Sequence, residues 1–176
     1  MKDKKFLKIS AVIFPAVLIG LMVYLFLNFQ KKKKEKIDAL KNIPSFSLTT
    51  IDGDTFTPHN LSSDQTKVIV YFSPSCHFCQ AEAEELSKSY QNYQNIQWIW
   101  VASEPLDEIQ QFANHYRLTK EDNIFWCHDE MAKLYQKLGM NSVPYFLVYD
   151  NSNHLIQRNP GAVKLEKLIN TSDERK

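Results

Sequence analysis

Glycine and cysteine are both scarce in this chain, at four and three of 176 residues. So few glycines exclude a collagen-like chain, and three cysteines are too few to staple a small domain with disulfides. No cysteine stands in the first 75 residues, which leaves no thiol there for lipid attachment. Net charge is also small, at +1, yet it is unevenly distributed. Nine of the 21 basic residues but only two of the 20 acidic ones lie in 1–36, so residues 37–176 carry 12 basic and 18 acidic residues. A body with that excess of acid is a poor partner for nucleic acid, and none is expected.

One long hydrophobic run is present, from Ile9 to Phe29, with Ser10 and Asn28 as its polar members. A helix of that length spans roughly 30 Å, the thickness of the bilayer hydrocarbon. The apolar core of a cleaved signal peptide is shorter, about 7–15 residues. The expectation is therefore a retained single-pass membrane anchor. Lysines flank it on both sides, so their distribution does not fix its orientation. The chain divides into a basic N-terminus (1–8), the anchor (9–29), a charged linker (30–43), a globular domain (44–170) and a tail (171–176).

Within the domain, strand and helix patterns alternate. Phe46–Thr49 runs into the turn Ile51-Asp52-Gly53-Asp54, and Lys67–Phe72 is a β-branched, apolar run suited to a central strand. Residues 77–93 follow as a helix, with Phe78, Ala81, Leu86, Tyr90 and Tyr93 read as its apolar face and Glu82, Glu84, Glu85 and Lys88 as mostly its outer one. A strand at Ile96–Val101, a helix near 106–116, a strand at Ile124–Cys127 and a helix from Asp129 to Leu138, ended by Gly139, come next. Tyr145–Tyr149 and His154–Ile156 form a second hairpin, before a short helix near 163–170. The pattern predicts an α/β fold: a mixed sheet with helices on both faces.

The chemistry lies in Cys76-His77-Phe78-Cys79, at a junction of strand and helix. The free N–H groups and partial positive charge of a helix N-terminus favour an anion, so a thiolate is stabilised at Cys76. Cys79 lies one turn deeper, where its sulfur reaches a mixed disulfide formed on Cys76. Cys76 is then the nucleophile and Cys79 the resolving thiol. His77, when protonated, would tune the thiolate; otherwise it is a solvent-facing residue. Phe78 is read as packing or as an apolar rim for partner peptides.

The stretch Tyr71-Phe72-Ser73-Pro74-Ser75-Cys76-His77-Phe78-Cys79 resembles the redox centre of thioredoxin-like proteins, closest to the membrane-anchored TlpA/ResA group of redoxins. Pro44-x-Phe46-x-Leu48 and Asp52-Gly53 resemble that group's N-terminal hairpin, Val143-Pro144 its cis-proline loop, and Gly161 the residue before its last helix. The resemblance implies a thiol-disulfide oxidoreductase with a redox-active Cys76–Cys79 disulfide and no other cofactor. It also implies a cis Pro144 beside the cysteines, with the backbone at Val143 exposed for pairing with a substrate peptide. Expected partners are thiol- or disulfide-containing proteins and a membrane electron donor. The expected role is that of a reductant, on the extracytoplasmic (periplasmic) side of the inner membrane. The chain departs from the group at Ser75, where a tryptophan is usual, and from many thioredoxins at Val70, where an acid stands six residues before the nucleophile. Glu82 corresponds to a carboxylate of some extracytoplasmic members, leaving it either the proton acceptor for Cys79 or a solvated helix charge.

Two other functions compete. A peroxiredoxin-like thiol peroxidase would carry threonine and proline where Ser73 and Ile69 stand. A metal-binding module or copper chaperone would combine Cys76 and Cys79 with Cys127 or a histidine, whereas the default for Cys127, beside Trp126 in an apolar strand, is a buried inert thiol.

Overall fold

The computed structural model describes residue 15, residues 17–32, residue 34 and residues 41–168. Contacts divide the chain into two units, 1–39 and 40–176. In the first, residues 17–32 are helical and their large apolar side chains are exposed. Among the described residues no helix is long and apolar enough to cross a membrane. Most of residues 9–16 of the expected anchor, half of the linker and the tail lie outside the described residues.

In the second unit seven strands form one sheet: β1 (Leu48–Thr50), β2 (Thr55–Phe56), β3 (Thr66–Tyr71), β4 (Ile96–Ala102), β5 (Ile124–His128), β6 (Tyr145–Tyr149) and β7 (Leu155–Pro160). Their order across the sheet is β2-β1-β5-β4-β3-β6-β7. The central three are parallel; β1 and β6 run antiparallel to them, and the outer strands β2 and β7 run antiparallel to β1 and β6 in turn. Gly53, with φ +89°, closes the β1–β2 turn with its N–H on the Thr50 carbonyl at 2.9 Å.

Alternation along β3 separates two cores. Val68 and Val70 face a layer with helices α1 (His77–Ser89) and α2 (Leu106–His115); Ile69 and Tyr71 face a layer with α3 (Lys133–Lys137). Helices therefore cover both faces, as the pattern predicts. Trp98, Trp100, Trp126, Phe72 and Phe112 pack in the first layer, with Trp100 and Trp126 stacked at 5.1 Å. Register places Tyr71 opposite Tyr145 and Val101, and Ala102 opposite His128. The C-terminal ends of β3, β4 and β5 and the N-terminal end of β6 thus share one edge of the sheet, where the loops bearing the cysteines and Pro144 emerge.

Two sequence expectations need correction. The helix expected from Asp129 to Leu138 is interrupted: Glu130–Ala132 form a single 3-10 turn, and α3 begins only at Lys133. Asp129 is buried, and its carboxylate accepts the N–H groups of Leu134 and Tyr135 (2.8–3.1 Å) and the Tyr71 hydroxyl (3.0 Å). Drawing Asp129 inward leaves Met131 and Ala132 at φ +58° and +52°, a left-handed conformation that costs about 1–2 kcal/mol per non-glycine residue. Removing that carboxylate with Asp129→Ala strands three donors, two of them buried, and urea unfolding is expected to show a loss of about 2–4 kcal/mol.

The second correction concerns α1. Its buried residues are Cys79, Glu82, Ala83 and Leu86, whereas Phe78 and Ala81 are exposed. The spacing 79, 82/83, 86 is itself helical, and the helix turns that stripe into the layer that also holds Val68, Val70, Trp98 and Trp100.

Candidate active site

β3 ends at Tyr71, and five residues later Cys76 stands as the N-cap of α1 with extended backbone angles. No side chain caps this helix end and no acid lies in its first turn, so nothing offsets the positive end of the helix beside Cys76. Cys76 is half-buried, and its Sγ lies 3.7 Å from the Val143 carbonyl. The Val143-Pro144 peptide is cis, and the Pro144 carbonyl accepts the Gly161 N–H at 2.8 Å. Three segments therefore converge: Ser73–Cys79, which runs into the first turn of α1, and Val143-Pro144, both expected at the site from sequence, and Gly161–Val163, which was not.

Cys79 is fully buried beneath Cys76, and both are free thiols. Burial pushes the Cys79 thiol far above its ordinary range; an N–H from Ser73 opposes this, while the Cys76 sulfur and the charge on Glu82 add to it. Deprotonating Cys79 therefore needs a nearby acceptor.

Glu82 follows Cys79 by three residues on α1. It is only 4% exposed and shares the inward face of α1 with Cys79. Burial raises its carboxyl to about 7, against the lowering effect of the Val163 N–H, with Glu85 raising it further. Oε1 accepts that N–H at 2.7 Å, while Oε2 is buried without a hydrogen-bond partner. Of the two sequence readings of Glu82, the solvated helix charge is excluded by its burial. Val70 lies in the same layer, filling with a side chain the place where many thioredoxins carry their acid.

His77 is exposed at the start of α1, and Phe78 beside it is 64% exposed. Ser75, exposed, makes a 3.1 Å contact with the Ser73 hydroxyl. Cys127 is fully buried in the other layer, across the sheet from Cys76 and Cys79, and the fold does not bring the three together. Burial raises the Cys127 thiol to about 12. Brief alkylation of the native reduced protein by iodoacetamide is therefore expected to modify Cys76 and spare Cys127, with mass spectrometry locating the adduct.

The family model described as the AhpC/TSA family matches residues 40–162. Solved structures with similar folds include a secreted Mycobacterium tuberculosis disulfide oxidoreductase homologous to E. coli DsbE. It is 22% identical, with TM-score 0.62, over 78% of this chain and 98% of that one. A putative thioredoxin from Neisseria meningitidis is 23% identical, with TM-score 0.64, over 76% and 89% of the two chains. The exposed lipoprotein thioredoxin Etrx1 of Streptococcus pneumoniae is 19% identical, with TM-score 0.59, over 74% and 99%. The comparison with curated proteins found no match. At these identities the likeness is one of fold, and that fold is thioredoxin-like.

Proposed function

Because this chain belongs to the AhpC/TSA family, we propose that it is a thiol-disulfide oxidoreductase acting on protein partners through Cys76 and Cys79. One observation carries the reading: a half-buried thiol on an uncapped helix N-terminus lies directly above a buried second thiol and a buried carboxylate. The Cys76 thiolate attacks a partner disulfide, forming a Cys76–partner disulfide and expelling the partner's other sulfur as a thiolate. Glu82 takes the proton of Cys79, whose sulfur then attacks Cys76. A Cys76–Cys79 disulfide closes, and the partner leaves reduced by two electrons. Val143 lies beside the reacting sulfur and offers its backbone to an extended partner segment, with Pro144 holding the loop.

The finer reading is that of a TlpA/ResA-type protein anchored through residues 9–29. Supporting it are the 21-residue apolar run, the lysines that flank it and the quoted motifs. In that reading the domain works on the extracytoplasmic side, as a reductant recharged by a membrane electron donor, with the cysteine pair as its only redox group. A peroxidase is the competing enzyme. Rapid mixing of the reduced chain with a protein disulfide or with hydrogen peroxide separates them. Oxidation of the cysteine pair is expected to be fast with the disulfide, and with peroxide no faster than an ordinary thiol. The opposite order would sink the proposal.

A further inference from the structure

Among the described residues of 41–168, Phe78 and Met131 are the two large apolar side chains left exposed, at 64% and 70%. Both stand at the sheet edge that carries Cys76: Phe78 in the first turn of α1, Met131 in the loop that leaves β5. Met131 is also held in the left-handed conformation described above, anchored by the buried Asp129. Backbone strain that turns an apolar side chain outward beside a reactive centre suggests use of that side chain.

We propose that Met131 and Phe78 are two anchors of a docking strip that runs from Cys76 across the ends of β3, β4 and β5. Its occupant is an extended polypeptide with an apolar residue near its cysteine and basic residues around it. This deepens the thiol-disulfide reading and rests on it. The lateral offset from β3 to β5 is two strand spacings, on the order of 10 Å, which about three extended residues cover. A flexible thioether suits an anchor that accepts differing apolar side chains. The charge around the strip argues for a basic partner over an anionic lipid surface. Glu104, Asp107, Glu108 and Glu130 follow the strand ends, against Lys133, which is paired with Glu130 at 3.0 Å, and Lys164.

The test uses the full reduced chain and two lysine-flanked ten-residue peptides, each bearing one cysteine as a mixed disulfide with thionitrobenzoate. One has leucine three residues from the cysteine and the other serine; dithionitrobenzoate is the peptide-free probe. Release of thionitrobenzoate is expected to be at least about fivefold faster with the leucine peptide. Met131→Ser is expected to bring that ratio toward one, Phe78→Ser to lower it, and Met131→Leu to retain it. An unchanged ratio in Met131→Ser, or no preference in the natural chain, overturns the strip while leaving the oxidoreductase reading in place. No reaction of the natural chain with any of the three probes overturns the oxidoreductase reading itself.

Discussion

Replacing Cys76 with serine is expected to abolish exchange with protein disulfides, a loss of more than about a thousandfold, because a hydroxyl at this position is neither ionised nor nucleophilic toward sulfur. Cys79→Ser is expected to behave differently. Cys76 remains half-buried at the helix N-terminus and still attacks, but the sulfur beneath it that would release the partner is gone. Mixed disulfides then accumulate and appear on non-reducing gels as adducts that dithiothreitol removes. Identification of the captured proteins would define the partners. The contrast between the two variants is the decisive feature: a metal site would lose ligands in both and trap partners in neither. Equal loss without trapping would break the assignment of roles.

Glu82→Gln is expected to slow the resolving step by about a hundredfold, the low end of general-base effects. The isosteric amide still accepts the Val163 N–H but takes no proton from Cys79. In the natural chain the rate of resolution should rise as pH passes through about 7, where Glu82 ionises. In the variant that ionisation disappears. The same carboxyl gives a stability signature with a definite sign. Its folded value lies above the ordinary 4.5, so its stabilising contribution is complete below 4.5 and is lost as pH rises through about 7. The melting temperature of the natural chain should therefore fall between pH 5 and 8 by roughly 5 °C more than that of Glu82→Gln. Identical profiles of rate and melting temperature in the two proteins would remove Glu82 from the mechanism.

Where sequence and structure diverge, the divergences share a cause. Local periodicity located β3, β4 and β6 closely, because buried strands need unbroken β-branched and aromatic runs that surface elements do not. It located Gly53 and Gly139 because their positions require positive φ. It failed at Asp129–Ala132, where the buried Asp129 carboxylate accepts both the distant Tyr71 hydroxyl and the first N–H groups of α3. Hydrophobic spacing also put Phe78 on the inward face of α1, where its exposure excludes packing and leaves the alternative reading of an apolar rim. A residue chosen to remain exposed for contact is indistinguishable in sequence from one chosen for packing.

The sequence by itself determined the motif Cys76-His77-Phe78-Cys79, the proposed reactive pair, and its place between a strand and a helix. It also determined the order of elements that makes the fold thioredoxin-like and the Val143-Pro144 step. These depend on neighbours in the chain, whose geometry follows from backbone dihedrals and short-range spacing. Only the tertiary structure decided that Glu82 is buried with Cys79 while Phe78 faces outward, that Cys127 lies across the sheet, and that Met131 shares an edge with Cys76. Each of those depends on which face of an element meets which layer. That choice is made by packing between residues far apart in sequence, and no local pattern records it.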